Sequence, residues 1–190
     1  PIIYFLYAGS WHAKFTRYMT PLLPFLSLYA AFTLSNLLNK YKTLGKITLF
    51  ISLLITSFWA FSFMSIYSNP QTRLTASLWM LENIKPGETV LTEHWDDGLP
   101  IYIPGQDMLF TTKQLAIYDN EFSNKADYLA HMLSSANYIS LTTRRLHGSL
   151  IYLPENYPTT SKYYKYLFAE KLGYKKVAEF SSYPSFFGIK

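Results

Sequence analysis

The stretch TPLLPFLSLYAAFTLSNLLN, residues 20–39, carries no charged side chain. Wound as an α-helix it reaches roughly 30 Å, the thickness of the hydrocarbon core of a bilayer. Pro21 and Pro24 fall in its first turns, where a missing amide donor is cheapest, so they start the helix rather than break it. Downstream, ITLFISLLITSFWAFSFMSIY, residues 47–67, is more uniformly apolar and places Trp59 and Tyr67 toward one end, as spans do near a membrane interface. Buried helices of soluble proteins seldom stay uncharged on every face for this length. The two stretches are therefore read as membrane spans, and Pro1 to Ala8 as the tail of an apolar segment that begins upstream.

The connection Lys40-Tyr41-Lys42-Thr43-Leu44-Gly45-Lys46 carries three lysines and no acid. By the positive-inside rule it belongs in the cytoplasm of a plasma-membrane protein. Lys14, Arg17 and everything after Tyr67 then face the opposite, extracytoplasmic side. All the acidic residues lie beyond Leu81, so the second half of the chain has the composition of a water-soluble domain. The formal net charge of the 190 residues is +5, yet the cations are scattered and no arginine-rich or zinc-finger pattern accompanies them, which argues against nucleic acid as a partner. Cysteine is absent, excluding a disulfide framework and a thiolate metal site.

The division is a membrane region over residues 1–68 and an α/β domain over 69–190. In the latter, Asn69-Pro70 suits a helix start, with Leu74, Leu78 and Leu81 on one face. Pro86-Gly87 ends that helix and Thr89-Val90-Leu91-Thr92 reads as a short buried strand. Ser123 suits the cap of a helix with Ala126, Leu129, Ala130 and Leu133 as its apolar stripe, followed by a strand at Tyr138-Ile139-Ser140-Leu141. A third helix, capped by Thr159 or Thr160, runs through Tyr163, Tyr164, Leu167 and Phe168. Gly173 then stands where a C-terminal cap belongs, and Tyr174 to Phe180 reads as a strand. Helices alternating with strands predict an α/β class with a mostly parallel sheet.

The densest polar cluster, Glu93-His94-Trp95-Asp96-Asp97, follows the first strand, where open α/β sheets bind ligands at the carboxyl ends of their strands. Three carboxylates and an imidazole beside an indole suit a divalent cation or the hydroxyls of a sugar stacked on Trp95. The spacing is not a metal signature, and a turn in which Asp96 and Asp97 cap backbone amides fits equally. Lys14 and Arg17, in Trp11-His12-Ala13-Lys14-Phe15-Thr16-Arg17-Tyr18, stand at headgroup depth. There they either hold a lipid phosphate or anchor the interface with Trp11 and Tyr18. Arg144, Arg145 and His147, after the second strand, suit an anionic group or a solvated turn. Tyr152, Tyr157, Tyr163, Tyr164 and Tyr166 suit a helix core better than a carbohydrate platform.

Phe15-Thr16-Arg17-Tyr18-Met19-Thr20-Pro21-Leu22-Leu23-Pro24-Phe25 resembles the Arg-Tyr-x-x-Pro-Leu-x-Pro start of a late helix in C-type glycosyltransferases, the polyprenyl-phosphate-sugar enzymes that include protein mannosyltransferases. Arg73 to Pro100, with Trp79, Glu82-Asn83-Ile84 and Glu93-His94-Trp95-Asp96-Asp97-Gly98-Leu99-Pro100, is similar to the extracytoplasmic tail of bacterial and archaeal members or of their uncharacterised hydrophobic relatives. Ala136-Asn137-Tyr138-Ile139, Arg145-Leu146-His147-Gly148-Ser149, Tyr157-Pro158 and Ser161-Lys162-Tyr163-Tyr164 extend the likeness. The resemblance implies transfer of a hexose from a polyprenyl-phosphate donor to a glycan or protein acceptor outside the cytoplasm, with the catalytic acidic residue upstream of this chain and the leaving phosphate met by Arg17 and Lys14. Two other functions compete: a membrane-anchored module that binds glycans or proteins without catalysis, and a metal-dependent hydrolase using Glu93, His94, Asp96 and Asp97.

Overall fold

The computed structural model describes residues 1–11, 16–95 and 97–186. The chain divides into two compact units, one of residues 1–65 with 184–190 and one of residues 66–183. The segment after Tyr183, expected with the α/β domain, groups with the first unit.

The first unit opens with α1 (Ile2–Gly9) and a 3₁₀ stretch, Thr16–Leu22, that contains Pro21. Two long helices follow, α2 (Leu23–Lys40) and α3 (Lys42–Met64). With 18 and 23 residues they measure about 27 and 35 Å. Both are long and apolar enough to cross a membrane. They turn their large side chains outward: Phe32, Phe50 and Phe61 are all about two-thirds exposed. The connection expected over Lys40–Lys46 is shorter than that. Only Tyr41 leaves helical geometry, and Lys42 and Lys46 already belong to α3. The sharp reversal presses the helices together, and a Cβ on Gly45 would stand 2.6 Å from the Leu38 Cα. Glycine removes that obstacle.

In the second unit, α4 (Thr72–Asn83) leads to a three-stranded, wholly parallel sheet of order β2-β1-β3. The strands are β1 (Thr89–Glu93), β2 (Thr111–Leu115) and β3 (Tyr138–Ser140). Val90 pairs in register with Thr112 and Tyr138, and Leu91 with Lys113 and Ile139. Alternation along β1 supplies two cores. Val90 joins Ala76, Met80, Ile84, Leu99 and Phe110, while Leu91 joins Leu115, Ile117, Leu129, Leu146, Leu150, Tyr163 and Tyr164. The second core takes in residues of α5 (Lys125–Ser134), α6 (His147–Leu150) and α7 (Pro158–Phe168). The α/β class with a parallel sheet is thus the observed one.

Several local expectations differ. The helix expected from Asn69-Pro70 starts at Thr72, and it buries Ala76, Ser77 and Met80 while Leu74 and Leu78 stay more than a third exposed. Ser77 is drawn inward because its hydroxyl bridges the Arg73 carbonyl, at 2.7 Å, and the Ile101 amide, at 2.9 Å. In α5, Asn124 rather than Ser123 is the residue before the helix, and Lys125 and Leu129 face the core while Ala126 and Ala130 face out. Pro158, not Thr159 or Thr160, opens α7. Its C-terminal left-handed residue is Glu170, φ 56°, and the Lys171 amide reaches back to the Tyr166 carbonyl at 2.9 Å, so the cap forms before Gly173 is reached. Residues 174–180 pair with no strand. Tyr174 instead donates its hydroxyl to the carbonyls of Leu133 and Ala136, and Phe180 lies against Trp79. The third strand of the sheet is Thr111–Leu115, whose polar sequence carries little strand signal.

Candidate functional site

The carboxyl end of β1, the central strand, organises the candidate site of the second unit. Glu93 shares the face of Leu91 and is therefore turned inward. Its side chain is buried and accepts a hydrogen bond from the Tyr164 hydroxyl of α7. It forms the floor behind the strand end rather than an open ligand. His94 keeps the ladder for one more hydrogen bond, from its amide to the Leu115 carbonyl at 2.9 Å, and its Nδ1 lies 3.4 Å from Asp119 Oδ1.

Trp95 then turns the chain. Its φ of 74° is a left-handed conformation that costs an L-residue about 1–2 kcal/mol, yet the indole is 59% exposed. Arg145, in the loop after β3, donates from Nη1 to the Trp95 carbonyl at 3.0 Å and so braces the turn. The indole stands 5.3 Å from the His94 ring and edge-to-face with Tyr118 at 6.0 Å. Tyr118 in turn stacks on Tyr157 at 5.8 Å. Asp97 leads away toward α4: Arg73 donates to its Oδ2 at 3.0 Å and to its carbonyl at 2.8 Å. Asp96 lies outside the described residues.

The turn carrying Tyr118 and Asp119 is held by Lys125. This lysine is fully buried, and its ammonium donates to the carbonyls of Ile117, at 3.2 Å, and Asp119, at 2.6 Å, with Glu121 Oε2 3.6 Å away. A buried ammonium is tolerable only with such partners. Burial, followed by the neighbouring Tyr118 phenol, raises the Tyr157 phenol above its ordinary range. Behind Glu93, Tyr163 is also shifted upward, by burial first and then by the Glu93 charge.

The structure thus brings together His94, Trp95 and Arg145 with Tyr157, which the sequence suits to a helix core but which precedes α7 and stacks on Tyr118, and it adds Tyr118, Asp119 and Lys125. Tyr118 and Asp119 escaped notice because the strand before them did. His147 lies edge-on to Tyr164 and Phe168 beside the buried floor. Among the described residues no three His, Asp and Glu side chains gather as ligands for a metal.

The second candidate cluster is in the first unit. Lys14 lies outside the described residues. Arg17 is exposed in the 3₁₀ stretch before α2, with its guanidinium 5.6 Å from the Tyr18 ring. Tyr7, Trp11 and Tyr18 form an edge-to-face chain with spacings of 5.3 and 5.1 Å, and Tyr4 donates its hydroxyl to the Tyr18 carbonyl at 2.7 Å. Arg17 therefore sits beside aromatic rings of the kind that favour a membrane interface.

No family model, characterised protein or solved structure matches the chain. The functional reading rests on the residues themselves.

Proposed function

We propose that this chain is part of an integral membrane glycosyltransferase that moves a sugar from a polyprenyl-phosphate donor to an extracytoplasmic glycan or protein acceptor, and that the end of β1 holds a sugar. The observation that carries this reading is Trp95, an exposed indole kept in a left-handed turn by Arg145 at the carboxyl end of the central strand. An indole face takes the apolar side of a pyranose, and the imidazole of His94 and the carboxylate of Asp119 beside it suit the hydroxyls at the ring's edge. Strained backbone at an exposed aromatic is a cost that binding would explain. In the membrane unit, Lys14 and Arg17 are the cations available for the donor phosphate, with Arg17 suited to bidentate contact. None of the carboxylates in the second unit is assigned as the base that activates the acceptor.

A second reading, a membrane-anchored module that binds glycans without turning them over, is favoured by the acids themselves. Glu93 is buried against the Tyr164 hydroxyl, Asp97 is engaged by Arg73 and Asp119 lies against His94, so these three acids already have partners within the second unit. One experiment separates the two. The whole protein, reconstituted in vesicles, is offered a panel of polyprenyl-phosphate sugars with glycan and peptide acceptors. Turnover that falls about 10²- to 10³-fold in Arg17→Ala, with Arg17→Lys intermediate, supports the transferase, since losing one electrostatic donor has that scale. Glycan binding without turnover from any donor favours the module. Unchanged kcat and KM in Arg17→Ala return Arg17 to the role of interface anchor.

A further inference from the structure

The last four carbonyls of an α-helix have no partner within the helix, and near the hydrocarbon zone water is not there to satisfy them. At the end of α3 one such carbonyl is met by a local side chain and by a backbone amide 120 residues further along the chain. The Ser62 carbonyl accepts from the Ser65 hydroxyl at 2.7 Å and from the Ser185 amide at 3.2 Å. The Ser185 amide also reaches Ser65 Oγ at 2.9 Å, and the two serine hydroxyls lie 3.1 Å apart. Phe186 then meets Phe58 edge-to-face, with ring centroids 4.8 Å apart. Underneath, Ser62 is buried, while Trp59, Phe61 and Phe63 on the same helix end are exposed. An aromatic belt of this kind is what the headgroup boundary selects. The Ser65 and Ser185 contacts meet the other need of that depth by giving the Ser62 carbonyl and the Ser185 amide their partners.

The chain leaves the first unit after Ser65 and re-enters it at Pro184, so this contact joins the two ends of the excursion that makes up the second unit. We infer that Ser185 and Phe186 form a clip on the end of α3 that lies in the bilayer interface, with Phe186 set among lipid headgroups and upper acyl chains beside Phe58. The points where the chain leaves and re-enters the first unit are then held together at the lipid surface. The inference rests on α3 being a membrane span and is independent of the transferase reading.

The chain has no cysteine, so introduced thiols report cleanly. In the full chain reconstituted in phosphatidylcholine vesicles, Ser65→Cys with Ser185→Cys should form a disulfide under mild oxidant, because the replaced oxygens already lie within a small rotamer adjustment of the roughly 2.0 Å bond. Both thiols should lose reactivity toward a polymer-linked maleimide, whereas the pair Ser65→Cys with Ser123→Cys should keep it. Separately, an aromatic fluorophore on Phe186→Cys should be quenched at least twofold more by lipids bearing a nitroxide high on the acyl chain than the same label on Ser123→Cys. Adding Ser65→Ala should cut that quenching by weakening the clip. Two reactive thiols in a protein that keeps its helical circular dichroism would overturn the clip. A disulfide without quenching would overturn the lipid contact, and neither result bears on sugar transfer.

Discussion

At Trp95 a single φ angle links a folding cost to the proposed sugar face. Held at 74°, it forfeits about 1–2 kcal/mol that a glycine would recover, less the extra freedom glycine gives the unfolded chain. Trp95→Gly should therefore leave the thermal midpoint of the protein equal or higher while abolishing glycan binding by titration. A lower midpoint with binding retained would show the indole to be a packing residue. Tyr163 makes the complementary case. Its hydroxyl is buried with no hydrogen-bond partner among the described residues, and its ionisation is pushed well above the ordinary range of about 10. A group whose folded pKa is raised contributes stability below the unfolded pKa and loses it as pH climbs toward the folded one, because only the unfolded chain releases the proton there. Stability should fall with rising pH above about 10, and Tyr163→Phe should flatten that fall. The substitution should cost little at pH 7, since it removes an unsatisfied hydroxyl. An unchanged alkaline slope by denaturant titration would remove Tyr163 from this account. Neither residue's setting was legible in the sequence: Trp95 stood out as an indole among acids, but nothing local announced a left-handed backbone braced from 50 residues away.

At the level of elements, what the sequence disclosed was governed by how much of each element's stability is local. The two long apolar helices needed no partner to be recognised, and β1 announced itself by Val90 and Leu91, both fully buried. β2 did not, because an edge strand of sequence TTKQL leaves four of its five residues exposed and takes its stability from pairing with β1. The same limit applies to helix faces. Lys125 occupies a core position of α5 because three acceptors await it, and a reading of apolar periodicity passes over such a lysine. The seven residues Lys40–Lys46 likewise read as a connection by their charges, whereas close packing at Gly45 lets both helices run up to Tyr41. Since any Cβ there would press on the Leu38 backbone, Gly45→Ala should force the helices apart at the turn and cost on the order of 1–3 kcal/mol, the scale of overpacking. A drop in the thermal midpoint in detergent for Gly45→Ala, absent in Gly9→Ala where a Cβ meets nothing within 4 Å, is the expected pattern. Equal midpoints would mean that the hairpin opens without penalty.

For the molecule as a whole, the proposed transfer requires that α2 and α3 span a membrane and that the second unit lie on its extracytoplasmic side. The tight reversal at Tyr41 places Lys40 at the end of α2 and Lys42 and Lys46 at the start of α3, with the Lys40 ammonium 5.3 Å from the Tyr41 ring. At the other end of α2 the cations are Lys14 and Arg17. Three against two is a modest bias, but the lysines lie at the adjoining helix ends on either side of a one-residue reversal, within the zone where the positive-inside rule counts charge. The hairpin turn should therefore be cytoplasmic and residues 66–183 extracytoplasmic, which is also where a donor sugar on a polyprenyl phosphate would have to be met for the proposed transfer. Ser123 is exposed and precedes α5, so a cysteine there is accessible without disturbing a core. On intact cells Ser123→Cys should react with a membrane-impermeant maleimide, and Thr43→Cys should react only after permeabilisation. The reverse pattern would place the Trp95 face in the cytoplasm, and a transferase drawing on an extracytoplasmic donor would no longer be tenable even if sugar binding at Trp95 were measured.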